Sequence, residues 1–165
     1  MELVNKISEN SRETISTLGD IVWNLNPIND TAEKLFNRME STASLLLSAQ
    51  NTALEFSADP ELFGFDYSLE AKQNLYLIFK EIINNAAKYA QASEVKITIR
   101  KAGNWLEMNI SDNGVGFDVV QKSVGNGLRN IHQRAETMKG TAVVTSSSFG
   151  TKCEIKLPLQ ILQNT

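Results

Sequence analysis

The sequence predicts a two-layer α+β sandwich, with helices on one face of a mixed sheet and one long helix in front. Three observations predict it. An apolar repeat close to 3.5 residues runs through residues 2–26, a long amphipathic stretch covers 68–90, and period-2 alternation takes over in two hairpins after residue 94. Helices and antiparallel pairs in this order, within 165 residues, suit one core plus an appendage.

The elements follow from local chemistry. Val4, Ile7, Ser11, Ile15, Leu18, Val22 and Leu25 step by threes and fours, the narrow seam of bundles and coiled coils. Pro27 ends that helix, and Asn26, Asn29 and Asp30 form a turn in which Asp30 or Thr31 can cap the next one. The second helix, over 31–49, carries Ala32, Leu35, Met39, Ala43 and Leu46 on one face. Residues 52–57 have strand character, Ala58-Asp59-Pro60 turns the chain, and a central helix runs from Ser68 to Ala90. Val95, Ile97 and Ile99 alternate with polar residues, as do Leu106, Met108 and Ile110, and Lys101-Ala-Gly-Asn104 joins them as a hairpin. A helix over 126–138 follows, then strands near 141–147 and 151–157 around a Ser148-Phe149-Gly150 turn.

Bulk properties exclude some functions. A net charge of -3 and a pI of 5.2 argue against binding nucleic acid by phosphate neutralisation, so no nucleic-acid partner is expected. A single cysteine, Cys153, fits a reducing compartment, and no apolar run of membrane length or signal-peptide pattern occurs. The expected location is cytoplasmic, with a parent protein that could be anchored in the inner membrane.

Candidate site residues cluster in four motifs. On an α-helix, Glu81, Asn84, Asn85 and Lys88 share one side, opposite Leu75, Phe79, Ile82 and Ala86. A carboxylate, two amides and an ammonium suit a divalent cation and a polyphosphate: amide oxygen for metal, Lys for phosphate, Glu to orient a nucleophile. The alternative is an ordinary polar surface of a helix. Asp112 at a strand end can accept hydrogen bonds from an exocyclic amine such as that of adenine, while Gly114 and Gly116 let a ligand approach the main chain; the alternative is a plain Asp-Asn-Gly turn. Gly125-Asn-Gly127-Leu128 opens a helix whose N-terminal N–H groups suit phosphate oxygens; the alternative is a flexible entry to a helix. The Thr151 hydroxyl, after Gly150, could share the adenine hydrogen bonds with Asp112 directly or through water; the alternative is a turn residue entering a hairpin.

Taken in order, Glu81-x-x-x-Asn85-x-x-Lys88-Tyr89, Asp112-x-Gly-x-Gly116, Gly125-x-Gly127-Leu128 and Gly150-Thr151 resemble the ATP-binding domain of the GHKL superfamily. Within it the chain is most similar to sensor histidine kinases of the subfamily that signals to LuxR-type response regulators. Lys80-Glu81, the short lid, Leu128-Arg-Asn130 running into Arg134-Ala-Glu136, and Asp20-Ile-Val-Trp-Asn-Leu-Asn-Pro27 carry that choice. The resemblance implies a Bergerat-type sandwich over 31–165, with residues 1–30 as the second helix of a dimerisation and phosphoacceptor bundle.

It also implies roles. Asn85 would ligate Mg²⁺, with Asn84 supporting it, and Lys88 and Tyr89 would meet the phosphates or ribose of ATP. Tyr89 departs from the His often found at that place. Asp112 would take the adenine amine above a floor shaped by Gly114 and Gly116. Residues 117–124 would form a lid, Gly125 and Gly127 would let the next helix cup the phosphates, and Glu81 would be the catalytic base.

A kinase of this type needs a phosphoacceptor histidine, and the only one present, His132, matches neither its neighbours nor its position. The acceptor helix is therefore expected before Met1, outside this chain, and the exposed seam of residues 2–26 could drive a homodimer. Two other functions fit the motifs: a nucleotide-binding interaction module without turnover, and an anti-sigma-type serine kinase. Gyrase-like and mismatch-repair ATPases would need a following transducer domain.

Overall fold

A computed structural model describes residue 19 and residues 31–118 and 126–163, the latter two stretches within one compact unit, Thr31–Thr165. The predicted helix over 2–26 and its Pro27 turn lie outside the described residues. In chain order the elements are α1 (Ala32–Ser48), β1 (Ala53–Ala58), a 3₁₀ turn (Pro60–Gly64), α2 (Leu69–Asn85) running on as a π-helical turn (Ala86–Ala90), β2 (Glu94–Ala102), β3 (Trp105–Asp112), α3 (Asn126–Thr137), β4 (Thr141–Ser147), β5 (Gly150–Pro158) and α4 (Leu159–Leu162).

Caps set the helix starts. The Thr31 hydroxyl accepts from the Lys34 N–H at 3.3 Å, and the Ser68 hydroxyl accepts from the Ala71 N–H at 3.1 Å. Helix α1 ends at Ser48, and in the turn that follows Asn51 takes a left-handed conformation (φ 56), a shape Asn tolerates. Its buried face is Ala32, Leu35, Phe36, Met39, Ala43 and Leu47, spaced by threes and fours.

The five strands form one sheet in the order β1-β2-β3-β5-β4. Strands β1 and β2 are parallel, which demands a crossover, and α2 supplies it; every other pair is antiparallel. Gly103 turns the β2–β3 hairpin at φ 60, first of the two residues between the paired Ala102 and Trp105. The inner face carries Val95, Ile97 and Ile99 of β2, Leu106, Met108 and Ile110 of β3, and Cys153, Ile155 and Leu157 of β5, all buried in the same core as α1, α2 and α3. This is the expected two-layer sandwich with its helices on one face.

Three departures from the sequence reading have physical causes. The central helix is α-helical only to Asn85 and then widens into the π-turn. The Ala58–Pro60 turn leads into a 3₁₀ turn whose Leu62 is fully buried. A short helix that the sequence pattern does not announce follows β5. Helix α4 returns Leu159 and Leu162 to the core, and the Leu162 carbonyl accepts the N–H of Ser68 at 2.7 Å. Four residues are too few for helical periodicity to register.

The outer sheet face is polar and holds one tight charge cluster. Glu107, only 9% accessible, accepts from Arg100 Nε at 2.9 Å and Nη2 at 2.7 Å through one carboxylate oxygen, and faces Lys156 Nζ at 2.9 Å through the other. Lys156 first, then Arg100, holds the carboxyl below the ordinary glutamate range. A lowered native pKa means that the stabilisation is present above the unfolded-state pKa of 4.5 and is lost as pH falls through the native one. Glu107→Gln should therefore melt about 2–4 °C below the wild type at pH 7. The two melting temperatures should converge toward pH 3; a gap unchanged by pH would remove this role from Glu107.

Candidate functional site

A cavity of about 520 Å³ opens at one end of the sandwich, between the C-terminal half of α2, the start of α3 and the ends of β3, β4 and β5. Its sheet wall is one row of side chains. Val144 pairs with Cys153, and Cys153 pairs with Ile110, so three adjacent strands present an apolar strip. Ile82 and Ala86 of α2 and Leu128 and Ile131 of α3 close the other sides. Only a few polar groups enter: Glu81, Asn85, Tyr89, Asp112 and Thr151. An apolar slot with few, well-placed polar groups suits a flat ring carrying a polar tail.

Asp112 marks one end. It continues the inward series Leu106, Met108, Ile110, so strand alternation aims its carboxylate at the helix layer. Its Oδ1 accepts the N–H of Gly114 at 2.9 Å and of Thr151 at 3.2 Å, which fixes the group and leaves Oδ2 for a ligand. Glycines permit this clamp. A Cβ on Gly150 would strike the Asp112 carbonyl oxygen, one on Gly114 the Ala90 carbonyl, and one on Gly116 (φ 63) the Ser147 carbonyl. The Ala90 carbonyl also accepts the Val115 N–H at 2.9 Å, so the loop after β3 is docked on the end of the helix.

Glu81 and Asn85 mark the other end. One helical turn apart, they are joined by Asn85 Nδ2 donating to Glu81 Oε1 at 3.4 Å. That bond turns the Asn85 carbonyl oxygen away from the carboxylate. A neutral oxygen donor beside a carboxylate is the kind of set Mg²⁺ takes when phosphates and waters complete its shell. Gly127, second residue of α3, lies directly against Glu81: a Cβ there would strike Oε1. The start of α3 thus faces the carboxylate.

The sequence-derived candidates fall into three groups. Glu81, Asn85, Tyr89, Asp112, Gly116, Gly127, Leu128 and Thr151 all line the cavity. Asn84, Lys88 and Gly114 do not. In a straight α-helix Lys88 would lie about 20° from Glu81 and Tyr89 about 80° away. A π-turn advances each residue by less, which brings Tyr89 back beneath Glu81 and carries the exposed Lys88 aside. Gly114 is packed against Ala90. Gly125 and lid residues 119–124 lie outside the described residues.

Sequence reasoning missed Cys153 in the wall and Ser146 behind it, while Phe117, the first residue of the expected lid, also lines the cavity. Alternation along β4 (Ala142, Val144, Ser146) and β5 (Thr151, Cys153) carries that signal, because each series shares one face. Burial first, and the Asp112 charge second, pushes the Cys153 thiol up to about 12, so at neutral pH it is a small protonated wall residue. His132 is exposed on α3.

The chain belongs to the histidine kinase-, DNA gyrase B-, and HSP90-like ATPase family, whose model matches residues 70–161. The sensor histidine kinase MctS of Rhizobium johnstonii is 31% identical over 114 residues, covering 67% of this chain and 25% of that protein. The sensor histidine kinase ComP of Bacillus subtilis is 33% identical over 101 residues, 59% of this chain and 13% of that one. The chain thus spans a quarter or less of these curated relatives. Among solved structures, the histidine kinase domain of a blue-light activated histidine kinase from Erythrobacter litoralis aligns with a TM-score of 0.67 at 22% identity, over 78% of this chain and 66% of that chain. Histidine kinase AdeS of Acinetobacter baumannii aligns with a TM-score of 0.67 at 17% identity, over 96% and 85%. These two likenesses establish the fold.

The glycine contacts separate two variants. Gly116→Ala meets backbone at a positive φ and should lower stability by roughly 2–4 kcal/mol, read by denaturant unfolding. Gly127→Ala meets the far end of the Glu81 side chain rather than backbone, so its stability should stay within about 1 kcal/mol of wild type. Equal destabilisation of the two would contradict this difference.

Proposed function

We propose that this chain is the ATP-binding catalytic domain of a sensor histidine kinase, which transfers the γ-phosphoryl group of ATP to a histidine outside the described residues. The observation that carries it is the pairing of the clamped Asp112 carboxylate at one end of an apolar slot with the Glu81–Asn85 pair at the other. Membership in the family and the names of the curated relatives support the same reading.

The residues divide the work. Asp112 accepts the adenine amine, and the Ile110–Cys153–Val144 strip covers one face of the ring. Tyr89 stands 56% exposed at the rim, on the same helix as Asn85, where it can meet the ribose or phosphates. Asn85 would hold Mg²⁺ by its carbonyl oxygen, and the bound ion would neutralise phosphate charge. The acceptor imidazole nitrogen forms the bond to Pγ, the bond from Pγ to the β–γ bridging oxygen breaks, and ADP leaves with that electron pair. Glu81 takes the proton that the imidazole releases. Positioning and charge neutralisation account for most of the acceleration in such a transfer.

The remaining roles extend this reading. Residues 1–30 would be the second helix of a bundle, and the seam over 2–26 would pair two chains. A response regulator, of LuxR type on the motif resemblance, would receive the phosphoryl group. Among the described residues no helix is long and apolar enough to cross a membrane. A domain that consumes ATP works on the cytoplasmic side, and the parent protein could be anchored in the inner membrane.

Calorimetry with a non-hydrolysable ATP analogue should show Mg²⁺-dependent binding that Asp112→Ala weakens about ten- to a hundredfold. Unchanged affinity would remove the adenine assignment. Radiolabelled ATP mixed with this chain and a separate protein carrying an acceptor-histidine helix should leave acid-labile label on that protein. Glu81→Gln should slow the labelling about a hundredfold with binding nearly intact. Acid-stable label on serine would instead indicate a serine kinase, and binding without any label a module that does not turn ATP over.

A further inference from the structure

Ser146 does not line the cavity, yet it is bonded to two residues that do. It sits on the inward side of β4, opposite Thr151 in the register of β5. Its Oγ accepts the Phe117 N–H at 2.9 Å and lies 3.0 Å from the Thr151 Oγ1. Thr151 in turn gives its backbone N–H to Asp112 Oδ1 at 3.2 Å. One hydrogen-bonded chain therefore runs from the first residue after Gly116, through Ser146 and Thr151, to the carboxylate.

A serine hydroxyl carries one hydrogen and two lone pairs. The Phe117 N–H can only donate, so it occupies a lone pair and leaves the serine hydrogen to find an acceptor. Among the described residues, Thr151 Oγ1 is the oxygen within reach of Ser146 Oγ. If Ser146 gives its hydrogen there, Thr151 keeps its own hydrogen for the cavity. We infer that Ser146 is a positioning residue that makes Thr151 a hydrogen-bond donor toward the purine. The corner then presents an acceptor, Asp112 Oδ2, beside a donor, the Thr151 O–H. That pair complements adenine, whose edge offers an amine donor at N6 and an acceptor at N1. It opposes guanine, which offers an acceptor at O6 and a donor at N1. Ser146 thus contributes to base selectivity without touching the base, an inference that rests on the nucleotide reading of the same site.

The test compares ATP with 1-deaza-ATP, in which a C–H replaces the N1 acceptor, by calorimetry with Mg²⁺ on the whole chain. Wild type should bind the deaza analogue about tenfold more weakly, the value of one hydrogen bond to a buried partner. In Ser146→Ala the Thr151 hydroxyl keeps its hydrogen but loses the bond that orients it, so the ratio should fall about two- to threefold, and Ser146→Thr, which keeps a hydroxyl, should restore it. Ser146→Cys fills the same space with a weak donor and should behave like alanine, so the test survives if alanine folds poorly. A variant that weakens both ligands equally, with the tenfold ratio kept, would show Ser146 to be scaffolding only and overturn the inference. No discrimination in the wild type would overturn it too. A wild type that binds neither ligand would instead defeat the nucleotide reading, an outcome distinct from an unchanged ratio.

Discussion

The clamp on Asp112 is the constraint around which this end of the molecule is organised. Two backbone N–H groups, from Gly114 and Thr151, converge on one carboxylate oxygen. To deliver them, the loop after β3 and the start of β5 must crowd the strand end more closely than a side chain permits. Glycine at 114, 116 and 150 removes the three Cβ atoms that would collide. Next door, Asn113 turns away from the cavity: its Oδ1 accepts the N–H groups of Ser93 and Glu94, both at 3.0 Å, and ties the loop to the start of β2. A fixed carboxylate at the mouth of an apolar slot is useful because its orientation is settled before a ligand arrives.

The helix opposite contributes by a change of pitch. As far as Asn85 it obeys the α-helical period and sets Glu81 beside Asn85. Beyond that, five residues of π-helix rephase the last turn and end it at Gln91 in a left-handed conformation (φ 52). Ala90 is thereby placed to receive both the close approach of Gly114 and the Val115 N–H. The departure from regular geometry sits where helix, loop and cavity meet, a setting in which π-turns recur.

The sheet divides its labour by face. Inward residues supply the core and, at one end, the slot. Outward residues carry ion pairs such as Lys96–Glu55 at 2.6 Å and the better shielded Arg100–Glu107–Lys156 cluster. Exposed pairs add little to stability individually. Glu107 differs because both of its oxygens are engaged by cations on neighbouring strands.

The sequence by itself determined the two-layer sandwich, Thr31 as one of two candidate caps and the faces of β2 and β3, and it named eight of the residues that line the cavity. All of these follow from period, capping chemistry or motif spacing, which are local. The tertiary structure alone decided that Lys88 stands aside from the cavity, since the π-turn depends on what docks against the end of the helix. It alone placed Ser146 behind Thr151 and Cys153 between Ile110 and Val144, because strand neighbours and register are long-range choices. Helix α4 belongs to the same group: its four residues hold their shape by burying Leu159 and Leu162 against elements far away in the chain. Local pattern says which way a side chain points; only packing says what it meets there.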